Sequence, residues 1–215
     1  NRDSHEVYYF DPKTDYAPTT AISSISWDDP NFPNIEGFGV WAAKCNFTMG
    51  PDGKMYSRML GGNLVRIDVE NARGENLTNG DLVGTKDGSA YGLVFDPQDE
   101  NVFYFSNNDK HCIYKYDLRT KECACWAGQE GKSGYLDGPI GQAMFNKPGQ
   151  MCVDSEGNII LTDTENHCIR KITMSTGYVS TLAGKPQNSG YVNGSAEDAQ
   201  FKKPLGICID NDDVM

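Results

Sequence analysis

Few side chains in this chain could do chemistry, and those few are regularly spaced. Its three histidines are His5, His111 and His167. An imidazole could ligate a metal or serve as a general base. Yet His111-Cys-Ile113 and His167-Cys-Ile169 are the same segment 56 positions apart, and His5 heads a third copy: His5-Glu-Val-Tyr-Tyr-Phe-Asp-Pro-Lys-Thr14 matches His111-Cys-Ile-Tyr-Lys-Tyr-Asp-Leu-Arg-Thr120. Each imidazole therefore belongs to its own repeat unit. The expected role is a hydrogen bond within that unit, to the Asp163-type residue four positions earlier, so no catalytic histidine and no resident metal are expected.

The seven cysteines divide by position. Cys152 and Cys208 sit in apolar runs where the repeat wants Val or Ala, and read as small buried hydrophobes. Cys112 and Cys168 are repeat equivalents, too far apart to bond. Cys112 could bridge to Cys123 or Cys125, depending on strand register, and Cys123-Ala-Cys125 puts two thiols on one strand face. There is no Cys-x-x-Cys pair to suggest zinc or redox chemistry.

Carboxylates at Asp154, Asp163, Glu165, Asp96, Asp99, Glu100 and Asp109 could bind Ca²⁺ or exchange protons. Asp96, Asp154 and Asp210 recur at one place, however, which favours turn capping through short side chain-to-backbone bonds. Residues that break the repeat carry more information. Asn107, Asn108 and Asp109 replace Asp163-Thr-Glu165, and Arg58-Met-Leu-Gly-Gly62 replaces it again upstream. Arg58, Asn107, Asp109, Asp163 and Glu165 are the candidate ligand-binding residues of a shared rim. Trp27 and Trp41 flank a Pro-, Asn- and Gly-rich stretch unlike the rest, and are candidates for stacking on a sugar or peptide; the alternative is a loop stapled by its own aromatics. Asn46-Phe-Thr48, Asn76-Leu-Thr78 and Asn193-Gly-Ser195 fit the glycosylation acceptor pattern.

The elements that must position these residues follow from the repeat. Between 126 and 154, 12 of 29 residues are identical 56 positions later, including Ala127-Gly128, Ser133-Gly-Tyr135, Phe145, Lys147-Pro148 and Cys152. In the clearest unit, Gln150–Val153, Asn158–Thr162, His167–Ile172 and Tyr178–Leu182 are short runs rich in β-branched residues, separated by Asp, Asn and Gly turns. That pattern predicts four antiparallel strands per unit, as in the blades of a β-propeller. Third strands lie two spacings, about 9.6 Å, outside first strands, so the histidines diverge and cannot share an ion. A segment of about 20 residues joins the units, and Gln142-Ala-Met-Phe145 within it could form a short helical turn.

The run Phe145-x-x-Pro148, Cys152-Val-Asp154, Gly157-Asn158, Thr162-Asp163-Thr164-x-Asn166-His167-x-Ile169-Arg170-Lys171-Ile172, Ala183-Gly184 resembles the NHL repeat. The likeness is strong over 127–210, good over 91–126 and weak over 1–90. It implies an all-β six-bladed propeller, of which 215 residues are an arc: outer strands of one blade at 1–25, a divergent blade at 26–85, blades at 86–128 and 129–184, and the start of another at 185–215. The long Gly-Tyr-x-Asp-Gly loops are similar to those of bacterial surface proteins that set an IPT/TIG Ig-like domain before NHL repeats. That likeness implies an extracytoplasmic protein, anchored at the surface through a region preceding Asn1. Two functions follow. One is a non-catalytic scaffold offering a propeller face to a glycan, peptide or protein. The alternative is a hydrolase or lyase whose axial divalent metal is completed by other blades.

Composition narrows the partners. With 19 basic against 30 acidic side chains the net charge is −11, which disfavours nucleic acid and anionic lipid. No run approaches the roughly 18 apolar residues of a spanning helix. The first residues carry neither an initiator Met nor an apolar signal core, so a processed or cropped chain is expected.

Overall fold

The computed structural model describes residues 7–10, 18–22, 26–27, 47–58, 64–68, 70–71, 73–77, 91–210 and 212–215, with backbone alone at 7–10, 18–22, 26–27, 58 and 76. The chain divides into two compact units, Asn1–Lys86 and Asp87–Met215.

In the first unit, β1 (Val7–Phe10) and β2 (Pro18–Ile22) form an antiparallel hairpin. A second sheet runs β3-β7-β6-β5-β4, from β3 (Ser26–Trp27), β4 (Phe47–Met49), β5 (Met55–Arg58), β6 (Leu64–Asp68) and β7 (Arg73–Asn76). β4 to β7 are an antiparallel meander, and β3 adds in parallel along β7.

The second unit is more regular. β8 (Leu93–Phe95), β9 (Val102–Asn107), β10 (Cys112–Asp117) and β11 (Cys123–Gly128) form one four-stranded antiparallel meander. β13 (Pro148–Val153), β14 (Ile159–Asp163), β15 (Cys168–Thr173) and β16 (Tyr178–Ala183) form the next. The two-residue β12 (Gly138–Pro139), from the connecting loop, adds along β16. The four strands predicted from the repeat lie within two residues of β13 to β16. Consecutive four-stranded antiparallel sheets are propeller blades.

Burial follows from stacking blade on blade. All five residues of β14 and all six of β9 are buried, so these strands do not alternate between buried and exposed. A core cluster including Val94, Tyr104, Ile113, Phe145, Met151, Leu161 and Ile172 joins the two sheets, each large side chain contributing about 1.5–3 kcal/mol. Phe145 comes from the connecting loop, so the loop is part of the core. A helical turn forms here, but it closes at Gln142-Ala143 and leaves Met144 and Phe145 outside it. Gln142 and Ala143 N–H groups both reach back to Pro139 O, and Met144 then bridges Leu136, because the loop must return as a hairpin to insert Phe145.

The recurring Ala-Gly at each blade end has a steric cause. Gly128 and Gly184 both adopt φ of +93°, and a Cβ there would lie 2.9 Å from the Phe145 ring and 2.8 Å from the Phe201 ring, respectively. Turn capping by the recurring aspartates is equally direct. Asp154 Oδ1 accepts from the Glu156 and Asn158 N–H groups, Asp96 Oδ1 from Gln98, and Asp210 Oδ1 from Asp212 and Val214. The apolar run at 205–210, within the start of the next blade, forms no strand. Its Leu205 carbonyl accepts from Gln150 N and Thr162 Oγ1, and Cys208 there is exposed rather than buried.

Candidate functional site

The turns between second and third strands place the candidate residues at one end of two adjacent blades. The first turn is Asn107–His111; the second is a single 3-10 turn, Thr164–Asn166, closed by His167. Both histidines are left-handed, at φ +56° and +59°, a conformation that costs a non-glycine residue and persists only when its surroundings hold it. The holding contact is the same in each. His111 Nδ1 accepts from Lys147 N at 3.1 Å and His167 Nδ1 from Lys203 N at 3.2 Å. The imidazoles thus bond forward to the segment leading to the next strand set, not backward to Asp163 as the spacing suggested. Each fixes the tautomer with its proton on Nε2.

Asp163 is committed elsewhere. Fully buried, it accepts from Asn146 N at 2.8 Å, Asn166 Nδ2 at 2.8 Å and Arg170 Nη1 at 2.7 Å. Burial raises its carboxyl above the usual range, opposed by the Arg170 charge and the bonds from Asn166 and Asn146. Arg170 is also fully buried. It donates to the Leu136 and Met144 carbonyls and to Asp137, and lies 4.9 Å and 5.1 Å from the Tyr135 and Phe145 ring centres. A guanidinium held between two rings and two carboxylates clasps the connecting loop onto its blade. Sequence reading missed Arg170, although its place among β-branched neighbours in an apolar strand was a usable signal.

The dipeptide Asn146-Lys147 touches both turns. Asn146 meets Asp163 and accepts Glu165 N through its carbonyl, while Lys147 meets His111 and accepts Asn108 Nδ2 at 3.4 Å. Lys203-Pro204 repeats the arrangement: Thr164 Oγ1 donates to Pro204 O at 2.9 Å, and Lys203 Nζ pairs with Glu165 at 2.9 Å. The result is a ridge carrying Asp109, His111, Lys147, Glu165, His167 and Lys203, of alternating charge. Asp109, Lys147 and Lys203 are exposed, and Glu165 is half-buried. Burial and the Lys147 cation lower the His111 pKa.

Of the residues singled out in sequence, Asp109 and Glu165 reach solvent on this ridge. Asn107 and Asp163 lie beneath it, fully buried. Arg58 ends β5 and Trp27 ends β3, both in the other unit; Trp41 and His5 lie outside the described residues. Lys147 and Lys203 were missed, though a lysine before proline recurs in both repeats, at φ +56° and +52°. Among the described residues, no three His, Cys, Asp or Glu lie together as a metal would require.

Known proteins fit this geometry. Residues 145–172 match the NHL repeat. NHL repeat-containing protein 2 from Bos taurus is 29% identical over 104 residues, 48% of this chain and 14% of that protein. A Bacteroides thetaiotaomicron crystal structure of a protein of unknown function superposes with a TM-score of 0.77 at 25% identity, covering 94% of this chain and 48% of that one. An auxiliary nutrient binding protein from the same species superposes with a TM-score of 0.70 at 24% identity, covering 99% and 50%. The chain thus spans about half the length of these structures and a smaller part of the bovine relative. Matched repeat, sheet order and superposition together make the fold a β-propeller of four-stranded antiparallel blades, one of them carrying an NHL repeat.

Proposed function

We propose that the protein is a non-catalytic binding scaffold, presenting the ridge end of its propeller to a glycan, peptide or protein outside the cytoplasm, in a ring completed to six blades. One observation carries this reading. Among the described residues, the groups best suited to catalysis are used internally, His111 and His167 as hydrogen-bond acceptors and Asp163 as the partner of Arg170, while Asp109, Lys147 and Lys203 stand exposed above them. Alternating charge on a fixed backbone suits recognition of polar ligands through several weak, oriented bonds. The likeness to an auxiliary nutrient binding protein is in keeping with a binding role. A candidate aromatic platform at Trp27 and Trp41 belongs to the proposal, as does an IPT/TIG-type module preceding the propeller.

A glycan and peptide array probed with wild type, Lys147→Ala/Lys203→Ala and Trp27→Ala/Trp41→Ala tests the proposal. A ligand that loses about tenfold or more in affinity with either double variant supports it. Ligands unaffected by both would place recognition elsewhere. Metal analysis of the purified protein addresses the hydrolase or lyase alternative: a stoichiometric divalent ion, with loss of a measured activity on chelation, would overturn the non-catalytic reading.

A further inference from the structure

The β10–β11 ladder pairs Cys112 with Gly128 and Tyr114 with Cys125, with Trp126 bulged out between them. Cys112 and Tyr114, two apart, share a sheet face, and so do their partners Gly128 and Cys125. Cys125 Sγ leans along its strand to 3.8 Å from the Gly128 carbonyl. Gly128 has no side chain to separate that sulfur from Cys112. The two thiols are thus neighbours on one face of the ladder and interact. Cys112 is fully buried, whereas Cys125 is only half-buried.

We infer that Cys125 and Cys112 form a thiol–disulfide exchange site, Cys125 accepting a low-molecular-weight disulfide and Cys112 resolving it into a bridge between β10 and β11. The two sulfurs differ in the sense this requires. The neighbouring Cys112 thiol, helped by the Glu130 backbone N–H, lowers the Cys125 pKa, while the Cys125 thiol and burial raise that of Cys112. A more acidic, half-buried thiol beside a buried resolving thiol is the arrangement of a reversible redox site. The next blade is the internal control. There Cys168 occupies the Cys112 position, but Thr181 stands at the Cys125 position, its hydroxyl bonded to Tyr135 and Asp137. Burial raises the Cys168 pKa to about 12.

In the first step the Cys125 thiolate attacks one sulfur of R–S–S–R, an S–S bond forms to the protein, and R–S⁻ leaves. In the second, the deprotonated Cys112 sulfur attacks Cys125 Sγ and the second R–S⁻ leaves. The two protons lost by the cysteines end on the two leaving thiolates. Two protein thiols are oxidised to one disulfide, and one small disulfide is reduced to two R–SH.

Oxidised glutathione, added to the purified full-length protein, tests this by mass spectrometry and peptide mapping. The expected product is a Cys112–Cys125-linked peptide pair, about 2 Da lighter than the reduced pair, with little mixed disulfide remaining. Cys112→Ser should trap the glutathione adduct on Cys125. Cys125→Thr, which copies the next blade, should slow oxidation about tenfold or more, whereas Cys123→Ser should leave the rate unchanged. Should Cys112→Ser fail to fold, Cys125→Thr still decides, because its side chain is half-buried and its replacement is native to the neighbouring blade. A stable adduct on Cys123, a Cys152–Cys208 linkage as the main product, or Cys125→Thr oxidising at the wild-type rate would each overturn the assignment.

Discussion

The blades built on β8–β11 and on β13–β16 share strand order, histidine staple and glycine closure, yet differ at their centres. Where the second blade buries Asp163 against Arg170, the first has Asn107 and Tyr114 at the equivalent places. Asp163 and Arg170 have bonded partners on the connecting loop. Asn107 Nδ2 and the Tyr114 hydroxyl are buried without a hydrogen bond of good geometry, although Tyr114 lies near Cys112 and Glu130. The same backbone therefore tolerates an ionic centre or a neutral one. What the ionic centre adds is a specific grip on the loop that delivers Phe145 to the core, and Asn146-Lys147 to the ridge.

The largest expected effect breaks that grip. Arg170→Met leaves Asp163 buried with its charge uncompensated, and should destabilise the protein by about 3–5 kcal/mol in chemical denaturation. Replacing both partners by those of the upstream blade, Asp163→Asn with Arg170→Tyr, should cost clearly less, because no lone charge remains buried. Equal losses from the single and double variants would mean that the ion pair itself, rather than the stranded carboxylate, carries the energy, and the two blades would not be interchangeable designs.

Smaller effects sharpen the contrast at the outer strands. Thr181→Cys puts the upstream residue at the equivalent place. It weakens the 2.7 Å bond to Tyr135 and the 3.3 Å bond to Asp137, with an expected loss of about 1 kcal/mol. In the first blade, Tyr114→Phe removes a buried hydroxyl whose contacts with Glu130 and Cys112 lack good hydrogen-bond geometry. It should change stability by less than about 0.5 kcal/mol, or stabilise slightly, in the same denaturation series. A loss of 1 kcal/mol or more there would show that the Tyr114 hydroxyl has a partner of its own.

How far the sequence discloses this can be argued from the same residues. The strands were legible because a 56-residue repeat, alternating β-branched runs and Asp-to-Gly turns all agree on one architecture. Asp154 as a turn cap was legible because its partners are two and four residues away. His167 and Asp163 were not, because their partners, Lys203 and Arg170, are chosen by the return path of a loop, and spacing along the chain does not encode which side of a strand that loop crosses. The thiol pair was half legible. Cys123-Ala-Cys125 marked a strand face, but only the bulge at Trp126 turns that face to the side of Cys112, with Cys125 the nearer of the two.

The smallest effect probes what the two blades share, the histidine staple. His111 Nδ1 can accept the Lys147 N–H only while the ring is neutral. Burial first, and the Lys147 cation next, lower its pKa from 6.5, with Asp109 acting weakly in the opposite direction. A group whose folded pKa is depressed binds its proton more readily in the unfolded chain. Its contribution to stability is therefore complete above pH 6.5 and is lost as the pH falls through the lower, folded value. Melting temperature followed from pH 8 down to pH 5 should include a shallow decline from this source below pH 6.5. His111→Asn should flatten that part, since asparagine tolerates the left-handed backbone and does not titrate. An unchanged pH profile in the variant would mean that Lys147 is held by its proline and the packing of Phe145, and that the recurring histidine serves the ridge rather than the joint between blades.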